Sequence, residues 1–123
     1  MTKTTGEQWK PITTYKNFVF SGKYEISSWG RIRNKTTKAP LATYDSQKGN
    51  GYLKTKIIDV DGVRRMVYIH TLVALYFLDA QNTEGLEVNH IDGNSLNNSY
   101  TNLEWVTHQE NMQEMYRLRR RAG

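Results

Sequence analysis

The chain has 123 residues, no cysteine and a formal charge of +5, from 17 Lys and Arg against 12 Asp and Glu. That length supports one modest core, and the lack of cysteine excludes a disulfide framework and a thiolate-held zinc. No apolar run approaches a membrane span, and the charged N-terminal residues MTKTTGEQWK lack the apolar stretch of a secretory signal, so a soluble, non-secreted, cytoplasmic protein is expected.

Taken in chain order, residues 1–6 read as a loose tail. Six aromatics follow between Trp9 and Trp29, in short pieces such as FVF, KYEIS and GRIR. Aromatic and β-branched residues punctuated by glycine predict short strands. Residues 34–51 read as a loop or a sheet edge. Tyr52–Val60 and Val63–Ile69 read as two strands joined by a two-residue hairpin turn at Asp61-Gly62. His70–Leu78 is almost wholly apolar and predicts a buried helix, with His70 as a cap or core residue. Leu86–His90 and Leu103–Val106 read as short strands, with a turn at Asp92-Gly93 and a polar, irregular stretch from Asn94 to Thr101. Thr107 and Glu110 form a capping box that starts a helix running to about Leu118. Trp105 is expected to anchor the C-terminal unit.

Charge is distributed unevenly. Residues 1–70 hold 13 basic and 5 acidic side chains, residues 71–116 hold 7 acidic and no Lys or Arg, and four arginines follow. Basic flanks suggest a polyanion. Arg31 and Arg33 alternate with Ile32 and face one way, toward phosphate or toward solvent. Lys54 and Lys56 share a strand face beside Arg64 and Arg65, a cluster that favours DNA contact. Arg117, Arg119 and Arg120 make either a solvated helix end, favourable to the macrodipole, or a backbone clamp.

Seven of the ten asparagines lie between Asn82 and Asn111, where positive charge vanishes. Asn94, Asn97 and Asn98 suit loop structure. Asn89, Asn102 and Asn111 sit in or beside regular elements. If the two strands pair and the helix folds back, these three converge with His90 at one end of a ββα unit. A histidine with a fixed ring can act as a general base near neutral pH. Side-chain carbonyls are hard oxygen ligands that suit Mg²⁺. Such parts activate water and stabilise a leaving oxygen, as phosphodiester hydrolysis requires.

Residues 88–105, VNHIDGNSLNNSYTNLEW, resemble the core of the HNH (His-Asn-His) endonuclease family, in the branch of phage and intron homing nucleases. HTLVALYF resembles the helix preceding that core. EQWKPI, with Tyr24–Ser27 and Gly30–Arg33, resembles the small DNA-binding module that often accompanies it. The resemblance implies an α+β protein: a β-rich module over 1–69, a ββα-metal nuclease core over 70–118 and a basic tail over 119–123. It implies a DNA endonuclease with one Mg²⁺ or Mn²⁺ per site. His90 becomes the general base, Asn102 its orienting residue, and Asn89 and Asn111 the metal ligands. Asp92 and His108 become auxiliary groups, with a turn role for Asp92 and plain exposure for His108 as the alternatives. The family commonly has Asp where this chain has Asn89, which implies weaker metal binding completed by DNA phosphates. Two other readings stand beside it: a DNA-binding protein with a degraded nuclease core, and a subunit acting with a phage protein partner. A single core per chain favours nicking by a monomer, while a homodimer could cut both strands.

Overall fold

A computed structural model describes residues 6–45, 51–79 and 82–113. Short strands dominate: β1 (Trp9–Pro11), β2 (Thr14–Tyr15), β3 (Phe18–Val19), β4 (Tyr24–Ser27), β5 (Ile32–Asn34), β6 (Tyr44–Asp45), β7 (Leu53–Ile58) and β8 (Arg64–Tyr68). The helix α1 (Ile69–Phe77) follows directly, then β9 (Leu86–His90), a 3₁₀ turn (Tyr100–Asn102) and β10 (Leu103–Thr107). A second helix begins at residue 108 and is described to residue 113. All strand pairing is antiparallel, in the orders β1-β4-β5, β6-β7-β8, β2-β3 and β9-β10. The expected α+β class is the one observed. No helix among the described residues is long and apolar enough to cross a membrane.

The turn at Asp61-Gly62 is longer than the two residues expected. Ile58 pairs with Arg64, and the amide of Asp59 bonds the carbonyl of Val63, so three residues form the tip. The cause is Asp59: its Oδ1 accepts from the amides of Asp61 and Val63 at 2.9 Å each, and Gly62 takes the left-handed φ of 82°. The β4–β5 turn repeats this design. There Ser27 Oγ accepts from the amides of Trp29 and Arg31, and Gly30 is left-handed at 90°.

The hydrophobic core joins residues from both sides of residue 69. Ile12, Tyr15, Phe20, Ile26, Ile32, Ile57 and Val67 cluster with Ile69, Leu72, Val73 and Leu103. The apolar helix α1 lies among β4, β7, β8, β9 and β10, which explains why it carries no polar face toward them. Truncating a side chain such as Leu72 would cost about 2–5 kcal/mol. Tyr76 ties α1 to the N-terminal strands: its hydroxyl donates to the carbonyl of Thr14 at 2.7 Å and accepts from the amides of Thr13 and Thr14.

The capping box is formed as expected. Glu110 donates its amide to Thr107 Oγ1, and Thr107 donates its amide to Glu110 Oε1. It sets the start of the second helix, and so the position of Asn111.

Candidate active site

The β9–β10 pair runs in register from Leu103 opposite His90 to Thr107 opposite Leu86. This register puts Glu104 opposite Asn89 at the end of the ribbon, beside the loop that connects the strands. The second helix folds back so that Asn89, His90 and Asn111 line one cavity of about 190 Å³, together with Tyr52, Val88, Gly93, Ser95 and Met112. A larger cavity of about 550 Å³ adjoins it through Tyr52, Val88 and Asn111; Lys16, Tyr68, His70, Leu75, Glu87 and Trp105 also line it.

His90 is buried, and its ring stacks with Tyr52 at 5.6 Å between centroids. Its Nε2 lies 2.7 Å from Asn98 Oδ1. A carbonyl oxygen can only accept, so this bond fixes the proton on Nε2 and leaves the lone pair on Nδ1. Burial holds the imidazole below its usual pKa, against the opposing pull of the Asn98 bond and the Asp92 charge. The ring is therefore neutral at pH 7, as a base must be.

Asn102 does not hold His90 in the way expected of it. Its Oδ1 accepts from the amide of Asp92, and its Nδ2 donates to Asp92 Oδ1 and to the carbonyl of Asn97, each within 3.0 Å. Orientation of the ring passes instead to Asn98, which is buried, because the loop returns toward His90 one residue after Asn97. Asn102 fixes that return. Asp92 takes the turn role: its carboxylate also accepts from the amide of Asn94 and from Asn97 Nδ2. The same bonds keep its pKa low, that from Asn97 foremost.

Asn89 and Asn111 each donate from Nδ2 to a glutamate. Asn89 bonds Glu104 Oε1 at 3.0 Å, and Asn111 bonds Glu87 Oε1 at 2.8 Å. An amide whose nitrogen is held by a carboxylate is polarised toward its oxygen, which makes it a better cation ligand. His108 Nδ1 meets Glu87 Oε2 at 2.8 Å, so His108 and Asn111 grip one carboxylate from the same helical face. The Glu87 pKa is lowered by Asn111 first and His108 next.

His70 is a core histidine, as expected, and it faces the site. Its ring centroid is 4.6 Å from Tyr52 and 5.1 Å from His90. Burial, followed by the His90 and Lys16 charges, brings its pKa to about 3.

The basic residues separate into two groups. Arg31 pairs with Glu7, with Nε at 2.8 Å. Arg33 pairs with Glu25 at 2.9 Å and stacks 3.7 Å above Trp9. Arg65 pairs with Asp59 at 2.8 Å and lies over Phe18. Cross-strand pairing instead sets Lys54, Lys56 and Arg64 on one face of β7–β8 with Tyr68, opposite the buried Thr55, Ile57 and Val67. Arg117, Arg119 and Arg120 lie outside the described residues.

Sequence reasoning missed Asn98, Glu87, Glu104, Tyr52 and Lys16. Glu104 was within reach: pairing the two expected strands across their loop already sets it opposite Asn89. The others depend on chain paths between elements.

The family model described as HNH endonuclease matches residues 67–113, and that described as the NUMOD4 motif matches residues 7–66. The chain is 33% identical over 110 residues to the DNA endonuclease I-HmuI of Bacillus phage SP01, covering 86% of this chain and 56% of that protein. It is 41% identical over 97 residues to an uncharacterised HNH endonuclease of Acanthamoeba polyphaga mimivirus, covering 74% of this chain and 22% of that protein. A solved structure, described as DNA binding and cleavage by the HNH homing endonuclease I-HmuI, superposes with a TM-score of 0.73 at 32% identity, covering 89% of this chain and 59% of that one. The chain thus spans well under two thirds of each of these relatives.

Proposed function

The chain belongs to the HNH endonuclease family, and on that premise we propose that it hydrolyses DNA phosphodiester bonds with His90 as the general base. The observation that carries this reading is the convergence of Asn89, His90 and Asn111 on one cavity.

Nδ1 of His90 takes the proton of the attacking water. Asn98 holds the ring through Nε2, so the imidazole keeps its orientation as Nδ1 takes up the proton. Asn102 supports this at one remove by fixing the loop that carries Asn98.

HNH nucleases generally use a divalent metal. The residues fit one: Asn89 and Asn111 supply hard amide oxygens, with Glu104 and Glu87 bonded behind them. Those two ligands would hold Mg²⁺ or Mn²⁺, one ion per site, and when bound it supplies positive charge to the phosphate and leaving oxygen. The paired glutamates answer the departure at Asn89, because negative charge stands immediately behind each neutral amide.

DNA is the substrate on this reading. Lys54, Lys56 and Arg64 carry the sugar–phosphate backbone across the open face of β7–β8. Arg31, Arg33 and Arg65 chiefly brace their own module. One core per chain nicks one strand as a monomer, acting in the cytoplasm.

The test is conversion of supercoiled plasmid to nicked circles with Mg²⁺ or Mn²⁺. His90→Ala should slow it by about 10²–10⁴-fold. Wild-type nicking that persists in His90→Ala, or that ignores chelator, contradicts the mechanism.

A further inference from the structure

Residues 71–116 contain no Lys or Arg, and Glu87 lines the larger cavity, yet a nuclease cleft must receive an anionic phosphate. Among the described residues that line the two cavities, Lys16 alone carries a fixed positive charge. We propose that Lys16, delivered by the β2–β3 hairpin, binds a DNA backbone phosphate at the cut step. The proposal rests on the nuclease reading above and deepens it by naming the group that grips the substrate.

Three observations support it. First, Lys16 is placed with care. Tyr15 pairs with Phe18, so Lys16 and Asn17 form a two-residue turn. The hairpin is pinned to the rest of the fold: Tyr15 Oη accepts from the amide of Tyr68 at 3.1 Å, and Tyr76 bonds Thr14 through both amide and carbonyl. The lysine therefore stays on the wall of the cavity that His70, Tyr52 and Asn111 also line.

Second, the backbone at Lys16 is left-handed, with φ of 55°. Such a turn position suits glycine, which has no Cβ to clash. Lys38 takes a similar φ of 65° at another turn, but of the two lysines only Lys16 lines either cavity.

Third, the ammonium is available. Lys16 is exposed and has no carboxylate partner among the described residues; its Nζ lies 5.5 Å from the Tyr15 ring centroid. Glu87, the acid that lines the same cavity, has both oxygens occupied by Asn111 and His108. The charge also reaches His70, where it helps to keep the imidazole neutral.

The experiment measures single-turnover nicking of a defined duplex whose phosphates are replaced one at a time by neutral methylphosphonate. Lys16→Met should slow cleavage by about 10–100-fold, the loss expected for a hydrogen bond to a charged group, with Lys16→Arg retaining most of the rate. One methylphosphonate beside the cut should slow the wild type and leave Lys16→Met unaffected. Lys16→Gly should lose the same rate while melting no lower than the wild type, because glycine relieves the left-handed turn. Equal cleavage by Lys16→Met and wild type overturns this inference alone. So does an identical methylphosphonate profile in both. A wild type that cuts nothing with any divalent ion overturns the nuclease reading, and this inference with it.

Discussion

In residues 7–66, carboxylates meet arginines: Glu7 with Arg31, Glu25 with Arg33 and Asp59 with Arg65. In residues 67–113, carboxylates meet carboxamides: Glu104 with Asn89, Glu87 with Asn111, and Asp92 with Asn97 and Asn102. The first arrangement cancels charge within the module and stiffens it. The second bonds carboxylates to neutral amides, and Asn89 and Asn111 line a cavity. The same acid side chain thus meets a guanidinium in one half and a carboxamide in the other. On the proposed reading, the cations that remain unpaired after folding, more than the total charge, mark where DNA would bind.

This contrast can be broken most severely at the glutamates. Glu87→Gln and Glu104→Gln should each raise the Mn²⁺ concentration for half-maximal nicking by about 10–100-fold, the usual cost of removing a group that supports a metal ligand. Glu25→Gln should leave that midpoint in place and lower only thermal stability. A shift from Glu25→Gln equal to that from Glu87→Gln would erase the distinction between the halves.

The cations come next. Replacing Lys54, Lys56 and Arg64 with Gln should flatten the dependence of log affinity on log salt by about 0.9 for each phosphate that is no longer neutralised. Replacing Arg31 and Arg33 should change the slope far less, since their charges already face Glu7 and Glu25. Equal slopes from the two sets would mean that ion pairing does not withdraw an arginine from DNA.

The smallest effect concerns acid. The folded pKa of His70 is about 3, below the usual value of 6.5, so the unfolded chain binds a proton that the folded chain refuses. Stability from this group is full above about pH 6.5 and is lost as pH falls toward 3. His90 shifts in the same direction through its own burial. Melting temperature should therefore drop across that interval, and His70→Phe should show a shallower drop. An identical pH profile in both proteins would remove His70 from the account.

Elements with strong local signals could be read from the sequence. The β9 strand, the apolar helix, the capping box at Thr107 and the turn at Asp92-Gly93 all follow from alternation, apolar run length and turn chemistry. The convergence of Asn89, His90 and Asn111 followed from pairing two strands and folding a helix back. What stayed hidden depends on tertiary position. Asn98 looks like any loop asparagine until Gly30, left-handed at the β4–β5 turn, lets the Asn98 backbone press against it; a Cβ on Gly30 would sit 2.8 Å from Asn98 Cβ. Asp59 displaced the Asp61-Gly62 turn through two side-chain bonds that the dipeptide alone does not reveal. Lys16 lies far along the chain from the α1 and β9 residues that share its cavity, and no local pattern joins them.

The most direct test is the nicking rate as a function of Mn²⁺ concentration in wild type, Asn89→Ala, Asn111→Ala and His90→Ala. If the amides hold the ion and the histidine takes the proton, the two asparagine variants should need at least about 10-fold more Mn²⁺. His90→Ala should keep the wild-type midpoint and lose the plateau by about 10²-fold or more. A midpoint unmoved by either asparagine variant, or shifted only by His90→Ala, would contradict the assignment.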